Sequence, residues 1–168
     1  AQEETLCRQT LLYPTICDNP IYKDNLKYGA EGSNNMIYSA DVLVIRYDDY
    51  NFIPQKDQFY VNFISAAAVD NRKQVANIAA IMEDRIRKII SLAAVKSLEE
   101  KDQGKNALIL GAFGCGVFKN DPDLIASIFA KILHGEKFKQ YFNCIIFPIF
   151  KDKNGMIPIF KKHLTQIV

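Results

Sequence analysis

The chain has 168 residues, 49% of them hydrophobic, which fits one domain over residues 1–168 with a core that needs neither disulfides nor a metal. With 21 Lys and Arg against 19 Asp and Glu, the net charge of +2 excludes a broad nucleic-acid surface, so any anion recognition has to be local. The four cysteines (Cys7, Cys17, Cys115, Cys144) stand far apart without a C-x-x-C pair, and the sequence has neither an apolar run of membrane length nor a charged-then-apolar leader. These features predict reduced thiols in a soluble, intracellular and cytoplasmic protein, with no membrane partner and no cofactor.

Helix formers run from Gln2 to about Leu12, and Pro14 is expected to stop them. Glu3 and Glu4 then fall in the first turn. Neighbours on a helix point about 100° apart, so the two carboxylates have different tasks if they have any. The ordinary reading is a solvated pair that complements the helix dipole. Residues Cys17 to Met36, rich in Asn, Asp, Tyr and Gly and without a period, read as a surface loop with one short turn.

Asp41 to Arg46 and Phe59 to Ser65 are apolar, β-branched runs that read as two buried strands. From Asn71 to about Leu98, Val75, Ile78, Ala79, Met82, Ile86, Ile89, Ile90 and Ala93 recur at helical spacing, with Glu83, Asp84, Arg87 and Lys88 opposite. Ala107 to Leu110 is a short buried strand, Pro122 to about His134 a helix stopped by Gly135, Tyr141 to Phe150 a strand and Ile157 to Gln166 a last helix. Alternation of strand and helix in the second half predicts an α/β fold with a mostly parallel sheet covered on both faces.

The stretch after the strand at 107–110 carries the most chemical information. Gly111, Gly114 and Gly116 form a glycine-rich turn, and Asp121-Pro122 is an N-cap followed by a good first helical residue. Strand, glycine turn and helix start together offer backbone N–H groups and a positive dipole end to an anion, best a diphosphate. The spacing matches neither G-x-G-x-x-G nor the Lys-Ser/Thr ending of a Walker loop, and most such turns merely connect two elements. Cys115 has no histidine pattern near it and is not read as a nucleophile. His134 and His163 lie at helix ends, and Phe113, Phe118 and Phe150 could all be ordinary core.

Three segments carry a resemblance to a known family. Ala1-Gln-Glu-Glu-Thr-Leu-Cys-Arg8 with Leu12-Tyr-Pro14, the strand end Val44-Ile-Arg-Tyr-Asp-Asp49, and Leu108-Ile-Leu-Gly-Ala-Phe-Gly-Cys-Gly-Val-Phe-Lys-Asn-Asp-Pro122 resemble the microbial-type poly(ADP-ribose) glycohydrolases of the macrodomain superfamily. The resemblance implies a three-layer α/β/α fold around a mixed sheet. It also implies a hydrolase that cuts the ribose–ribose O-glycosidic bonds of poly(ADP-ribose), free or on ADP-ribosylated proteins. By the same resemblance Glu4, the second glutamate of the Gln2-Glu3-Glu4 motif, is the general acid, and Glu3 holds the ribose being released. Gly114, Cys115, Gly116 and Val117 clasp the diphosphate through their backbone, Phe118 packs on the ribose, and Phe150 stacks on adenine. The family's Gly-Gly-Gly loop upstream of Q-E-E is not in this chain, so the expectation is an N-terminally incomplete domain with that loop encoded before Ala1.

The chemistry expected of such a site follows from the bond. Departure of a ribose hydroxyl through an oxocarbenium-like state needs a proton from a positioned acid, and a glutamic acid in that role needs its pKa raised by burial or a neighbouring carboxylate. Adjacent glutamates cannot flank the bond as ordinary glycosidase carboxylates do, so a single acid with diphosphate assistance fits better. A module that binds ADP-ribose without cutting it is the alternative.

Overall fold

The structure, a computed structural model, describes residues 2–99, 106–149, 152 and 155–165. It is a mixed α/β chain divided into two compact units, residues 1–28 with 35–67, and residues 29–34 with 68–168.

In the first unit α1 (Gln2–Gln9) is shorter than its run of helix formers, and Pro14 starts a helix instead of stopping one. Thr10 ends α1: its Oγ1 donates back to the Leu6 carbonyl (2.8 Å), and it bridges antiparallel to Val44. The Gln9 carbonyl then accepts from the Ile45 and Arg46 N–H groups, so strand pairing overrides further helix. Pro14 sits in the first turn of α2 (Tyr13–Ile16), where its missing N–H has no partner to lose. The predicted loop at 17–36 contains α3 (Ile21–Lys27), entered at Pro20 and tied by an Asp24–Lys27 ion pair of 2.7 Å. Only Ile21 of this helix is buried, which is why no apolar period announces it.

β1 (Met36–Val44) and β2 (Phe59–Ala66) pair antiparallel, with a bulge between Ser39 and Val42. At the bulge Asp41 takes a left-handed φ of 50°, and its N–H donates to Asn62 Oδ1 at 2.8 Å. β1 begins earlier than its β-branched run, and β2 has no fully buried residue, Phe59 and Tyr60 being exposed. Leu12, Ile16, Ile21, Ile37 and Val42 form this unit's core.

The second unit is built on two amphipathic helices. α4 (Ile78–Glu99) starts seven residues later than its predicted beginning at Asn71, because Gln74 and Asn77 adopt positive φ after a 3-10 turn at Asn71–Lys73. Met82, Ile86, Ile90 and Ala93 are buried as the period predicts, whereas Ala79 is exposed. Arg85 is buried too and donates its Nε–H to Asn34 Oδ1 at 3.0 Å. α5 (Pro122–Gly135) matches its expected span and buries Ile125, Ile128, Phe129 and Ile132. Each such side chain contributes about 1.5–3 kcal/mol on leaving water.

Before and after α5 lie β3 (Ala107–Ile109) and β4 (Cys144–Ile146), paired in parallel as a strand–helix–strand unit requires. Among the described residues the sheets are two-stranded, one antiparallel and one parallel, where the sequence predicts one mostly parallel sheet. The 45–58 connection is taken up by an antiparallel Arg46–Phe52 bridge and a 3-10 turn at Gln55–Asp57 and carries no covering helix, so β2 returns antiparallel to β1. α6 (Met156–Leu164) closes the unit, with Phe160 packed beside Phe147.

Candidate functional site

The first unit carries a cleft of about 270 Å³ lined by Glu3, Glu4, Cys7, Tyr13, Ile16, Cys17 and Tyr22. Gln2, Glu3 and Glu4 lie exposed in the first turn of α1. Tyr22 lines the same cleft. Burial first, and then the Glu3 carboxylate, push its phenol up to about 12. Burial and Glu3 likewise raise the Cys7 thiol. Glu3 is thus the carboxylate whose field reaches the cleft wall. The sequence analysis passes over Tyr13 and Tyr22, yet Tyr13 sits inside the Leu12-Tyr-Pro14 segment that carries the resemblance.

The second unit carries the glycine loop between β3 and α5. Gly114 has a φ of +76°, and a Cβ added there would lie 2.3 Å from Asn120 Nδ2 and 2.9 Å from the Ala68 methyl. Only glycine fits this place in the folded chain, whatever binds outside. Asn120, 2% exposed, explains the fit: its Nδ2 donates to the Val69 carbonyl (2.9 Å) and the Gly114 carbonyl (3.0 Å). Its backbone N–H also donates to Gly114 O at 3.1 Å, so the Gly114 carbonyl is drawn inward. A Cβ at Gly116, by contrast, would meet no described atom within 4 Å.

The backbone donors divide in a way the sequence does not reveal. The Cys115 N–H donates to the Ala112 carbonyl at 3.0 Å, closing a tight turn, and is not available to a ligand. The N–H groups of Gly114, Gly116, Val117 and Phe118 donate to no described residue. Backbone N–H groups left without partners are the donors that an anion-binding concavity uses where they converge. Val117 is exposed and Phe118 half-buried, with the Arg72 guanidinium 5.6 Å from the Phe118 ring centroid. Burial, and to a lesser degree the Asp121 charge, push the Cys115 thiol up to about 12, so it stays protonated and unreactive.

At the start of α5 the Asp121 carboxylate accepts from the Asp123 N–H at 3.0 Å, the N-cap expected there. His134 is exposed at the end of α5, and His163 of α6 lies 2.9 Å from the Asp123 carboxylate. Phe150 lies outside the described residues. Among the described residues no three His, Cys, Asp or Glu side chains are grouped to hold a metal ion, and no helix is long and apolar enough to cross a membrane.

Residues 1–47 match the family described as microbial-type PARG, catalytic domain. Among curated proteins none matches the sequence significantly. Among solved structures, poly(ADP-ribose) glycohydrolase from Deinococcus radiodurans in complex with ADP-ribose is 29% identical. It superposes with a TM-score of 0.85 over 99% of this chain and 68% of its own. The enzyme from Thermomonospora curvata is 28% identical, with a TM-score of 0.82 over 97% of this chain and 60% of its own. By its sequence at residues 1–47 and by its fold, the chain is related to the microbial-type poly(ADP-ribose) glycohydrolases.

Proposed function

We propose that this protein hydrolyses the ribose–ribose O-glycosidic bonds of poly(ADP-ribose) and releases ADP-ribose, from free polymer or from ADP-ribosylated proteins inside the cell. The observation that carries the proposal is the glycine loop, whose free N–H groups at 114 and 116–118 suit a diphosphate, in a chain whose first residues match a glycohydrolase catalytic domain. The relative from Deinococcus radiodurans was crystallised with ADP-ribose, which supports the same ligand here. The proposal includes a three-layer α/β/α macrodomain over residues 1–168.

In the reaction Glu4 gives its proton to the ribose oxygen that leaves, the C–O bond breaks with its electron pair going to that oxygen, and water adds to the resulting cation. The water's surplus proton returns to the Glu4 carboxylate, which restores the acid. Glu3 holds the ribose being released and Gln2 beside it contacts the substrate, Gly114, Gly116 and Val117 hold the diphosphate from the backbone, and Cys115 keeps the turn that aims them. Phe118 packs on the ribose and Phe150 on adenine. Glu4 lies exposed on α1 in the free chain, and a carboxylic acid that donates a proton near neutral pH needs a raised pKa. Substrate that covers the carboxyl and excludes water raises it, and this is how the acid becomes protonated when needed.

The exposure of Glu4 also favours a second reading, a module that binds ADP-ribose without cutting it. Glu4→Gln in the full natural protein separates the two. Hydrolysis of poly(ADP-ribose) falls by roughly 100-fold or more if Glu4 is the acid, while calorimetric affinity for ADP-ribose persists. Full activity in Glu4→Gln moves catalysis to another residue, and a wild type that binds ADP-ribose without turnover supports the binding module.

A further inference from the structure

The segment Val69–Arg72 is stitched to the glycine loop at three points. The Val69 carbonyl accepts from Asn120 Nδ2 at 2.9 Å, Asn71 Nδ2 donates to the Lys119 carbonyl at 3.4 Å, and the Arg72 guanidinium lies against Phe118. Asp70 holds that guanidinium in a planar fork. Arg72 Nε donates to Asp70 Oδ1 and Nη2 to Oδ2, both at 2.7 Å, and the Arg72 backbone N–H donates to the same Oδ1 at 3.3 Å. Asp70 is itself fixed through its N–H to the Ala30 carbonyl at 2.8 Å. A side chain otherwise free to rotate is therefore tied into its own turn. Asp70 caps the 3-10 turn at Asn71–Lys73 through the bond from the Arg72 backbone N–H, but a cap does not need the two further bonds to the guanidinium of an arginine whose side chain is half exposed.

We infer that Arg72, fixed by Asp70, is a positioning residue that sets the face of Phe118 and through it the preference for ligands bearing a ribose beyond the diphosphate. The inference rests on the reading of the loop as an ADP-ribose site. A guanidinium near an aromatic ring is attracted by the ring's negative face, and its plane restricts the ring's tilt. A rigid ring presents a flat wall to a sugar. A ring that rocks loses part of that contact before any ligand arrives. Because the Asp70 carboxylate already balances the charge, Arg72 acts through Phe118 and not as an extra phosphate cation.

The test uses the full natural protein and three probes: ADP-ribose, ADP, which keeps the diphosphate but lacks the outer ribose, and inorganic pyrophosphate. Arg72→Ala and Asp70→Asn are each expected to weaken ADP-ribose binding about three- to fivefold, the range of a partly exposed cation–π contact, with ADP and pyrophosphate unchanged. Arg72→Lys does not rescue, since an ammonium cannot fill the fork. In Phe118→Leu the further change Arg72→Ala has no added effect on ADP-ribose affinity, because the ring it acts through is gone. Equal losses for all three probes overturn the inference, marking either direct phosphate contact or general damage to the loop, which thermal melting tells apart. Unchanged ADP-ribose affinity in both variants overturns it as well. Wild-type protein that binds none of the three probes removes the phosphate-loop reading itself, and the inference with it.

Discussion

Gly114 and Gly116 are two residues apart in one loop, and the structure gives a packing reason for glycine at Gly114 and none at Gly116. Placing alanine at Gly114 forces an L-residue into a φ of +76° and drives its Cβ to 2.3 Å from Asn120 Nδ2. The left-handed backbone costs about 1–2 kcal/mol. Displacing the Asn120 amide, which makes two buried hydrogen bonds, adds about 1–3 kcal/mol. A total of roughly 3–4 kcal/mol lowers the melting temperature of a chain this size by roughly 6–15 °C. At Gly116 a side chain meets open space and ordinary backbone, so Gly116→Val changes stability by about 0.5 kcal/mol or less. On the proposed reading of the loop, the valine stands where the diphosphate approaches the N–H groups at 116–118. ADP-ribose affinity is expected to fall at least about tenfold, or 1.4 kcal/mol. Differential scanning calorimetry beside isothermal titration reads both effects. Gly114→Ala with a wild-type melting temperature refutes the packing argument, and Gly116→Val with wild-type affinity refutes the phosphate loop.

Three further outcomes follow from the electrostatics and burial. Because Glu4 works protonated and covering it with substrate raises its pKa in the proposed mechanism, rates fall as pH rises through that pKa, and the falling limb of kcat lies at higher pH than that of kcat/KM; coincident limbs refute the proposed rise on binding. Iodoacetamide followed by peptide mass spectrometry is expected to label exposed Cys17 and Cys144 rapidly and to spare Cys115, whose thiol is buried and pushed up to about 12. Hydrogen bonding from His163, with the charge of Lys162, lowers the Asp123 carboxyl below its ordinary 3.8, so this pairing stabilises the fold above that value and is lost as pH falls through the lowered pKa. Urea unfolding between about pH 5 and about pH 2 should therefore lose less stability in Asp123→Asn than in wild type, and identical acid slopes count against the pairing.

How much of this was legible beforehand depended on whether the deciding forces were local. α5 is readable because its cap (Asp121), its first-turn proline (Pro122) and its apolar face all lie within one stretch. The middle of α4 is readable for the same reason, and the parallel β3–β4 pair follows from a strand–helix–strand order. α3 is not, since one buried isoleucine leaves no period to detect. Pro14 misleads because proline both ends and begins helices, and the choice was made by Thr10 and Gln9 bonding to the end of β1. The glycine loop stands out by its order of strand, turn and helix start, Glu3 and Glu4 stand out only through the resemblance, and the roles assigned to all of them rest on that resemblance.

By itself, then, the sequence determined the α/β class, the family likeness and the glycine-rich turn, all of which are written in neighbouring residues. Tertiary structure decided which members of that turn face outward. Asn120, reaching back to Val69 across 51 positions, pulls the Gly114 carbonyl inward, leaving the Gly116, Val117 and Phe118 N–H groups without described partners. It also brought Arg72 to Phe118 and aligned Tyr22 with the cleft that Glu3 and Glu4 line. A contact between residues distant in the chain depends on the path of everything that connects them, and no local pattern of spacing encodes that path.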